Sequence, residues 1–345
     1  MSANNDVLLE IDGLCKYFPI QKGLFRSTVG YVKAVDDVNL RVRRGEVLGV
    51  VGESGCGKTT LGRCLVRVYE PTDGHILLRT DAQELSVTDL SGEQMRTFRR
   101  SVQMIFQDPY ASLNPRMNVL ETVGEPLKVN GLASGRKLED RVAKVIQQVG
   151  LRVEHLRRYP HSFSGGQRQR IGIARALVVE PKLIVADEPV SALDVSIQAQ
   201  ILNLLKDLQE QQDLTYIFVS HNMSVIRYIS DRIAVMYAGK LVELGPKEEL
   251  LARPKHPYTE LLLAAVPRAV DRRRGHRNVT PGEPPDLARL PSGCVFRARC
   301  KYVHDRCAEE EPQLRELEPG HFVSCHFAES LTLGGVVPRV QSFPA

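Results

Sequence analysis

Gly52-Glu53-Ser54-Gly55-Cys56-Gly57-Lys58-Thr59 is the segment from which the fold class follows. It fits G-x-x-x-x-G-K-[ST], comes directly after the apolar run Glu46 to Val51, and opens a helical pattern from Lys58 to Val68. Gly52, Gly55 and Gly57 let the backbone curl, so that successive N–H groups converge on phosphate oxygens. The helix N-terminus adds positive potential to that cradle. Lys58 can reach the outer phosphates, and the Thr59 hydroxyl can ligate Mg²⁺. Cys56 takes a free position of the loop and needs no role. The alternative is a glycine-rich turn without a ligand, and the strand–loop–helix setting weighs against it.

Outward from the loop, the same alternation continues. Leu8 to Ile11 and Val35 to Val42 alternate apolar and polar residues, as half-buried strands do. Glu46 to Val51, Leu183 to Ala186 and Thr215 to Val219 are continuous apolar runs that suit buried parallel strands. From about Met117 to Leu177 apolar residues recur every three or four positions, and Asp194 to Gln212 is amphipathic, with Ile197, Ile201, Leu204, Leu205 and Leu208 on one face. Strands alternating with helices predict a mostly parallel sheet with crossover helices.

Two further stretches carry chemistry. Lys182 to Glu188 is a strand ending in Asp187 and Glu188, and a carboxylate at the C-terminal tip of a buried strand is where an open α/β sheet holds a Mg²⁺-nucleotide. Asp187 can hold the metal, and Glu188 can polarise an attacking water as general base. Phe163-Ser164-Gly165-Gly166-Gln167 opens a helix bearing Arg168, Arg170 and Arg175, which makes a second anion-binding N-terminus. One domain has no use for two such ends on one nucleotide, so the natural resolution is a dimer in which this helix caps the neighbour's ligand. Read in isolation, the five residues could equally be a helix start with Ser164 as its cap.

Composition sets limits. With 345 residues the chain exceeds one ordinary core and suggests a main domain plus an appendage. A content of 43% hydrophobic and 25% charged residues is that of a globular protein. The 46 Lys and Arg against 41 Asp and Glu leave +5, a weak basic balance without aromatics interleaved in a basic tract, so no nucleic-acid partner is expected. Arg272-Arg273-Arg274 reads as an exposed loop. The longest apolar runs, such as Leu261 to Val266, fall well short of the roughly 20 residues of a membrane span. Met1 to Asp6 lacks the basic-then-apolar order of a signal peptide, so a cytosolic location is expected, with any membrane role borrowed from a partner. In that compartment the 7 cysteines read as thiols or metal ligands.

The order of phosphate loop, Gln107, Phe163 to Gln167, Asp187-Glu188, Ser191-Ala192-Leu193-Asp194 and His221 resembles that of ABC transporter ATPases. The segments Ile105 to Pro109, Ser112 to Arg116, Tyr159-Pro160-His161, Val195 to Ile201 and His256 to Thr259 are similar to the oligopeptide and dipeptide importer branch, closest to the second of its two ATPases. The likeness runs from Leu8 to about Phe327 and departs only in Phe163, where leucine is commoner, and Asn222, where Asp is usual. It implies an α/β P-loop NTPase with a small antiparallel β layer, an inserted helical subdomain over about 108–178, and a loop-rich C-terminal extension from 256 to 345. It also implies catalytic roles for Glu188, His221 and Gln107, and ATP contacts from Phe18 (Tyr17 as second choice), Gly52, Gly55, Gly57, Lys58, Thr59 and Thr60. Gln107, Ser164, Gly165, Gly166, Gln167, Asp187 and Asp194 complete the implied nucleotide set, with Thr59, Gln107 and Asp187 around Mg²⁺. The implied partners are two transmembrane permease subunits, a second homologous ATPase in a heterodimer, and an extracytoplasmic substrate-binding protein. The implied place is the cytoplasmic face of the cell membrane, as a peripheral subunit. A soluble ABC ATPase acting on nucleic acid or ribosomes is the competing class, but such proteins commonly carry two cassettes or a coiled-coil insertion, and this chain has one cassette and no heptads.

After about Ala252 the composition changes: Pro254, Pro257, Pro267, Pro281, Pro284, Pro285 and Pro291 break any long helix, which puts a domain boundary near 255. Cys294, Cys300, Cys307 and Cys325 lie together in this tail, without a C-x-x-C pair, and suggest a metal staple. The resembled family's C-terminal region can hold a [4Fe–4S] cluster on such cysteines, with zinc or free thiols as the alternatives. A metal- or redox-sensing module is a third class, resting on this tail alone. His304, His321 and His326 are expected to be ordinary surface histidines, and Cys64 to be helix core.

Overall fold

The computed structural model describes residues 6–23, 26–80, 83–265 and 285–336, and the Arg272 to Arg274 run lies outside them. In chain order the elements are β1 (Val7–Lys22), β2 (Ser27–Arg43), β3 (Val47–Val51), α1 (Lys58–Leu65), β4 (Asp73–Arg79) and β5 (Glu84–Ser86). α2 (Gly92–Ser101), β6 (Val102–Ile105), α3 (Val119–Val129), α4 (Gly135–Gln148), α5 (Gly165–Leu177) and β7 (Leu183–Asp187) follow. Next are α6 (Val195–Gln212), β8 (Thr215–Ser220), α7 (Met223–Ile229), β9 (Arg232–Tyr237) and β10 (Lys240–Pro246). α8 (Lys247–Ala252), α9 (Pro257–Ala264), α10 (Arg306–Glu309), β11 (Arg315–Glu318) and β12 (His321–Val323) come last.

The chain divides into two compact units, each assembled from discontinuous segments. One comprises Met1–Leu9, Val42–Glu46 and Leu77–Phe218, and the other Glu10–Arg41, Val47–Ile76 and Val219–Ala345. In the first, hydrogen-bonded strand order is β8-β7-β6, and β6 and β7 are parallel with Met104 opposite Val185. β7 and β8 are buried at every position, which accounts for their unbroken apolar sequences. Helices α3, α4 and α5 pack on one another, and Gly124 is what lets α3 approach α4, since a Cβ there would sit 2.7 Å from Leu138 Cδ2. These helices fall within the stretch from Met117 to Leu177 whose apolar residues recur every three or four positions. Asn118 and Glu121 close a reciprocal capping box at the start of α3.

In the second unit the order is β11-β12-β10-β9-β3, with β3 parallel to β9 and the later pairs antiparallel. β1 and β2 are neighbours in a separate sheet, and in the first unit Leu77 to Arg79 of β4 pair antiparallel with β5. β12 joins the edge of β10, pairing Glu243 with Val323 and Leu244 with Phe322, so residues beyond 255 share a sheet with residues before it. Phe296, 2% exposed, packs against Tyr237, Tyr258 and His256. Burying a side chain of that size contributes about 2 kcal/mol, so the proline-broken tail is stabilised by the core it joins. The same strand addition corrects the expectation for His321. It is 1% exposed, and its ring bonds the buried Glu243 carboxylate at 2.8 Å, because β12 carries it into the sheet. His304 is exposed, and His326 is half-buried with its Nε2 at 2.9 Å from the Glu310 carbonyl. Cys64 lies in the core on α1, fully buried.

Candidate functional site

The phosphate loop joins β3 to α1 within the second unit. Gly57 has φ 107° and caps α1, and a Cβ there would lie 2.0 Å from the Ala34 carbonyl. A Cβ at Gly52 would lie 2.1 Å from the Met236 carbonyl, so both glycines are demanded by neighbouring backbone. Lys58 is 4% exposed, and its ammonium donates to the Gly52 and Glu53 carbonyls at 2.8 Å each, with Cys56 Sγ at 3.7 Å. Cys56 is therefore a buried neighbour of the loop lysine, and burial pushes its thiol pKa up.

Phe18 stands beside this loop's helix. Its ring meets Tyr69 edge-on at 5.5 Å, Lys16 lies 5.2 Å above it, and Tyr69 receives a 2.9 Å bond from Arg63 of α1. Adjacent strand residues point to opposite faces, and Tyr17 accordingly turns away, its hydroxyl bonded to Asp36 and near Cys15. Burial raises the Tyr17 pKa, as do the bonds to Asp36 and Cys15. The two neighbouring rings therefore stand in different surroundings. His221 is exposed just past β8, and Asn222 caps α7 by accepting from Ser224 N–H at 2.9 Å. Asparagine caps as well as aspartate, so the departure at 222 costs the local structure nothing.

The first unit holds the remaining residues. Asp187 ends β7 and is 2% exposed. Glu188 follows with φ 46°, a left-handed conformation that costs a non-glycine residue about 1 kcal/mol and is commonest where a side chain must be aimed. Gln107 Nε2 donates to Glu188 Oε2 at 3.0 Å, so two residues 81 apart in sequence are brought together. The Gln107 side-chain oxygen and the Asp187 carboxylate are hard oxygen donors of the kind Mg²⁺ takes.

Ser164 is the N-cap of α5, accepting from Gln167 N–H at 3.4 Å while Gln167 Oε1 accepts from Ser164 N–H at 3.1 Å. Ser164 lies on the surface while it caps. A Cβ at Gly166 would meet Ile197 Cγ2 at 2.5 Å, which fixes the approach of α5 to α6. Asp194 is also exposed and caps α6 through Ile197 N–H at 3.0 Å. Phe163 is buried with its ring edge-on to His155 at 5.4 Å, an anchor of the same kind leucine would give. The arginines of α5 are structural braces: Arg168 bonds the Pro160 carbonyl, Arg170 that of Val149 and Arg175 that of Ser112.

In the tail, one cavity is lined by Cys294, Cys300, Cys307 and Cys325, with His256 and His326 in its wall. Burial pushes the thiol of Cys294 up to about 12 and that of Cys325 up to about 11, and each feels the other cysteines as further upward pressure. Cys300 is raised for the same first reason. Four thiolates here need cations to coexist. Among the described residues, the ligand atoms that lie mutually within 4.8 Å are those of Glu249, Glu318 and His321.

Sequence reasoning missed the partners of Glu53, which sits in the phosphate loop. Its N–H donates to Tyr258 Oη at 2.8 Å, and its carboxylate takes two bonds from Arg299 at 2.7 and 2.9 Å. Arg299 is 246 residues away, and no local pattern announces such a pair.

The ABC transporter family model matches residues 35–191, and that of the oligopeptide/dipeptide transporter C-terminal region matches residues 242–307. A protein named oligopeptide transport ATP-binding protein AppF, from Bacillus subtilis (strain 168), is 51% identical over 330 residues, spanning 94% of this chain and 98% of its own length. This chain belongs to the ABC transporter ATP-binding subunits of the oligopeptide/dipeptide type. A Brucella ovis protein named as a putative peptide import ATP-binding protein is 49% identical over 318 residues, 92% of this chain and 97% of that one. Among solved structures, the dimeric post-hydrolysis state of the ATP-binding cassette MJ0796 with ADP and Pi is similar at TM-score 0.60 and 28% identity. The match covers 70% of this chain and 99% of that one. The cbiO1 cassette from Clostridium perfringens gives 0.59 and 29%, over 72% and 91%. The fold is that of an ABC ATPase cassette.

Proposed function

We propose that this subunit hydrolyses ATP to power the import of peptides through a membrane complex. The observation that carries the hydrolytic part is the 3.0 Å bond from Gln107 to Glu188 at the tip of β7, beside the buried Asp187. Glu188 then takes a proton from the attacking water, Gln107 orients both, and His221 contacts the γ-phosphate. Lys58 and the loop N–H groups of Gly55, Gly57, Thr59 and Thr60 hold the phosphates, with Gly52 shaping the turn, and Phe18 stacks on adenine. Thr59, Gln107 and Asp187 would hold Mg²⁺, which supplies charge neutralisation on the phosphates when bound.

Ser164, Gly165, Gly166 and Gln167 complete the site of a second, homologous ATPase subunit, with Asp194 at the seam. The dimeric cassette of the MJ0796 structure supports that reading. ATP binding closes the pair, and hydrolysis reopens it. The helical subdomain passes this motion to two permease subunits, so the chain works peripherally on the cytoplasmic face of the membrane, with an extracytoplasmic binding protein delivering peptide. Among the described residues no helix is long and apolar enough to cross a membrane, which suits a subunit that leaves the crossing to partners. The names of the relatives support peptides as cargo. The tail cysteines would hold a [4Fe–4S] cluster, a reading supported by the cavity that the four of them line together.

The test of hydrolysis is Glu188→Gln in the reconstituted complex. ATP binding should persist while turnover falls at least ~10²-fold, the usual worth of a positioned base, and near-normal turnover would remove Glu188 from that role. For the tail, protein purified without oxygen should be brown and absorb broadly near ~400 nm, while a colourless protein with one tight zinc would replace the cluster reading.

A further inference from the structure

Glu53 is the second residue of the phosphate loop, and it adds a negative charge to a loop read as an anion cradle. It is held on three sides. Tyr258 Oη accepts its N–H at 2.8 Å, Lys58 donates to its carbonyl at 2.8 Å, and Arg299 grips its carboxylate with two bonds at 2.7 and 2.9 Å. The Arg299 side chain is 7% exposed and that of Glu53 27%, so this pair is far better shielded from water than a surface bridge. The guanidinium also lies 5.8 Å from the centre of the Tyr237 ring, and Tyr237 packs on Tyr258 at 4.5 Å.

The turn that delivers Arg299 is stiff. Arg297 N–H bonds the Cys294 carbonyl, Arg299 N–H that of Phe296, and Cys300 N–H that of Arg297. Cys294 N–H bonds the Cys307 carbonyl, and the Arg297 side chain holds the Ala308 carbonyl at 3.0 Å. Gly293 sits at φ 65° under this turn, where a Cβ would press to 2.5 Å from the Cys307 carbonyl. Neither end of the latch is a flexible side chain reaching across solvent.

We propose that Arg299 and Tyr258 are positioning residues for nucleotide binding. Through Glu53 they fix the phosphate loop in its receiving conformation and cancel the loop's own negative charge, so the C-terminal extension is part of what sets ATP affinity. The inference rests on reading the loop as an ATP site. Neither residue touches the reacting atoms. Because the loop grips the phosphates alike in ground state and transition state, losing the latch should raise KM and leave kcat nearly alone. Hydrogen bonding to Glu53, outweighing burial, also keeps the Arg299 guanidinium charged at all working pH values.

The experiment is a double-mutant cycle on the full chain, reading affinity for a fluorescent ATP analogue on the purified subunit and KM and kcat in the reconstituted complex. Arg299→Gln should raise KM about 10-fold with kcat within about 2-fold, since it strands a carboxylate next to the phosphates. Glu53→Gln with Arg299→Gln should recover much of that loss, which a merely structural role would not produce. Arg299→Lys should restore charge but not the paired geometry, and fall between. Should Arg299→Gln fold poorly, Tyr258→Phe removes only the hydroxyl, and KM should rise about 3-fold at an unchanged melting temperature. Wild-type KM in Arg299→Gln and Tyr258→Phe, with only the melting temperature lowered, would overturn the inference and leave the ATPase reading intact. A wild-type chain that binds no ATP would overturn both.

Discussion

At the scale of single residues, the glycines of the phosphate loop separate two kinds of demand. Gly55 has φ 81° and nothing within 4 Å of a Cβ, whereas Gly57 combines φ 107° with a carbonyl 2.0 Å away. Gly55→Ala should therefore cost only the left-handed penalty, about 1–2 kcal/mol, and still bind ATP. Gly57→Ala must also displace the backbone at Ala34, so it should destabilise by more than that and lose ATP binding. Urea midpoints and nucleotide titrations on the two variants check this, and equal behaviour would mean the loop yields more readily than its packing implies. The same contrast explains what was legible beforehand. Lys58, Thr59, Asp187 and Glu188 were readable because phosphate and metal chemistry fixes both residue type and spacing. The bracing of Glu53 by Tyr258 and Arg299 was not, because its partners are set by tertiary packing across 205 and 246 residues.

Among elements, the buried strands β3, β7 and β8 were plain in the sequence as unbroken apolar runs, and α5 and α6 as capped, periodic helices. β9 and β10 were not read, and β11 and β12 were not because they follow the prolines from Pro254 onward that suggested loop. β12 is short, and only pairing with β10 makes it a strand. That junction carries a pH signature. His256 caps α9 by accepting from Tyr258 N–H at 3.0 Å, and its own N–H bonds Glu243 at 3.0 Å. Complete burial lowers its imidazole pKa from 6.5 to about 3. The folded state thus binds this proton less readily than the unfolded chain does. Its contribution to stability is fully present above about pH 6.5 and is lost as pH falls toward 3. His256→Asn keeps a capping acceptor without a titrating group. Denaturation midpoints measured from pH 7.5 to 5 should decline more steeply for wild type than for His256→Asn, and parallel declines would assign the acid sensitivity elsewhere.

For the whole molecule, the two compact units are built from interleaved segments, an arrangement that composition could not reveal, since compositional change marked 255 while the tail joins a sheet begun before it. Motif order was the better guide, because it reports which chemical tasks the chain performs and not where the contacts close. The task left to a partner is the one written into α5. Ser164 is exposed, already satisfies its helix cap, and offers its hydroxyl outward from a positive helix end. If that end serves a nucleotide held by another subunit, affinity and turnover must separate on mutation. In the isolated chain Ser164→Arg should bind ATP as wild type does, because its own phosphate loop is untouched, whereas Lys58→Ala should lose binding. In the reconstituted complex, Ser164→Arg should cut ATP turnover at least ~10²-fold, since an oversized cation blocks the closing of the two subunits around the phosphate. Weakened ATP binding by isolated Ser164→Arg would instead mean that the serine serves the nucleotide of its own chain, and the two-subunit site would have to be abandoned.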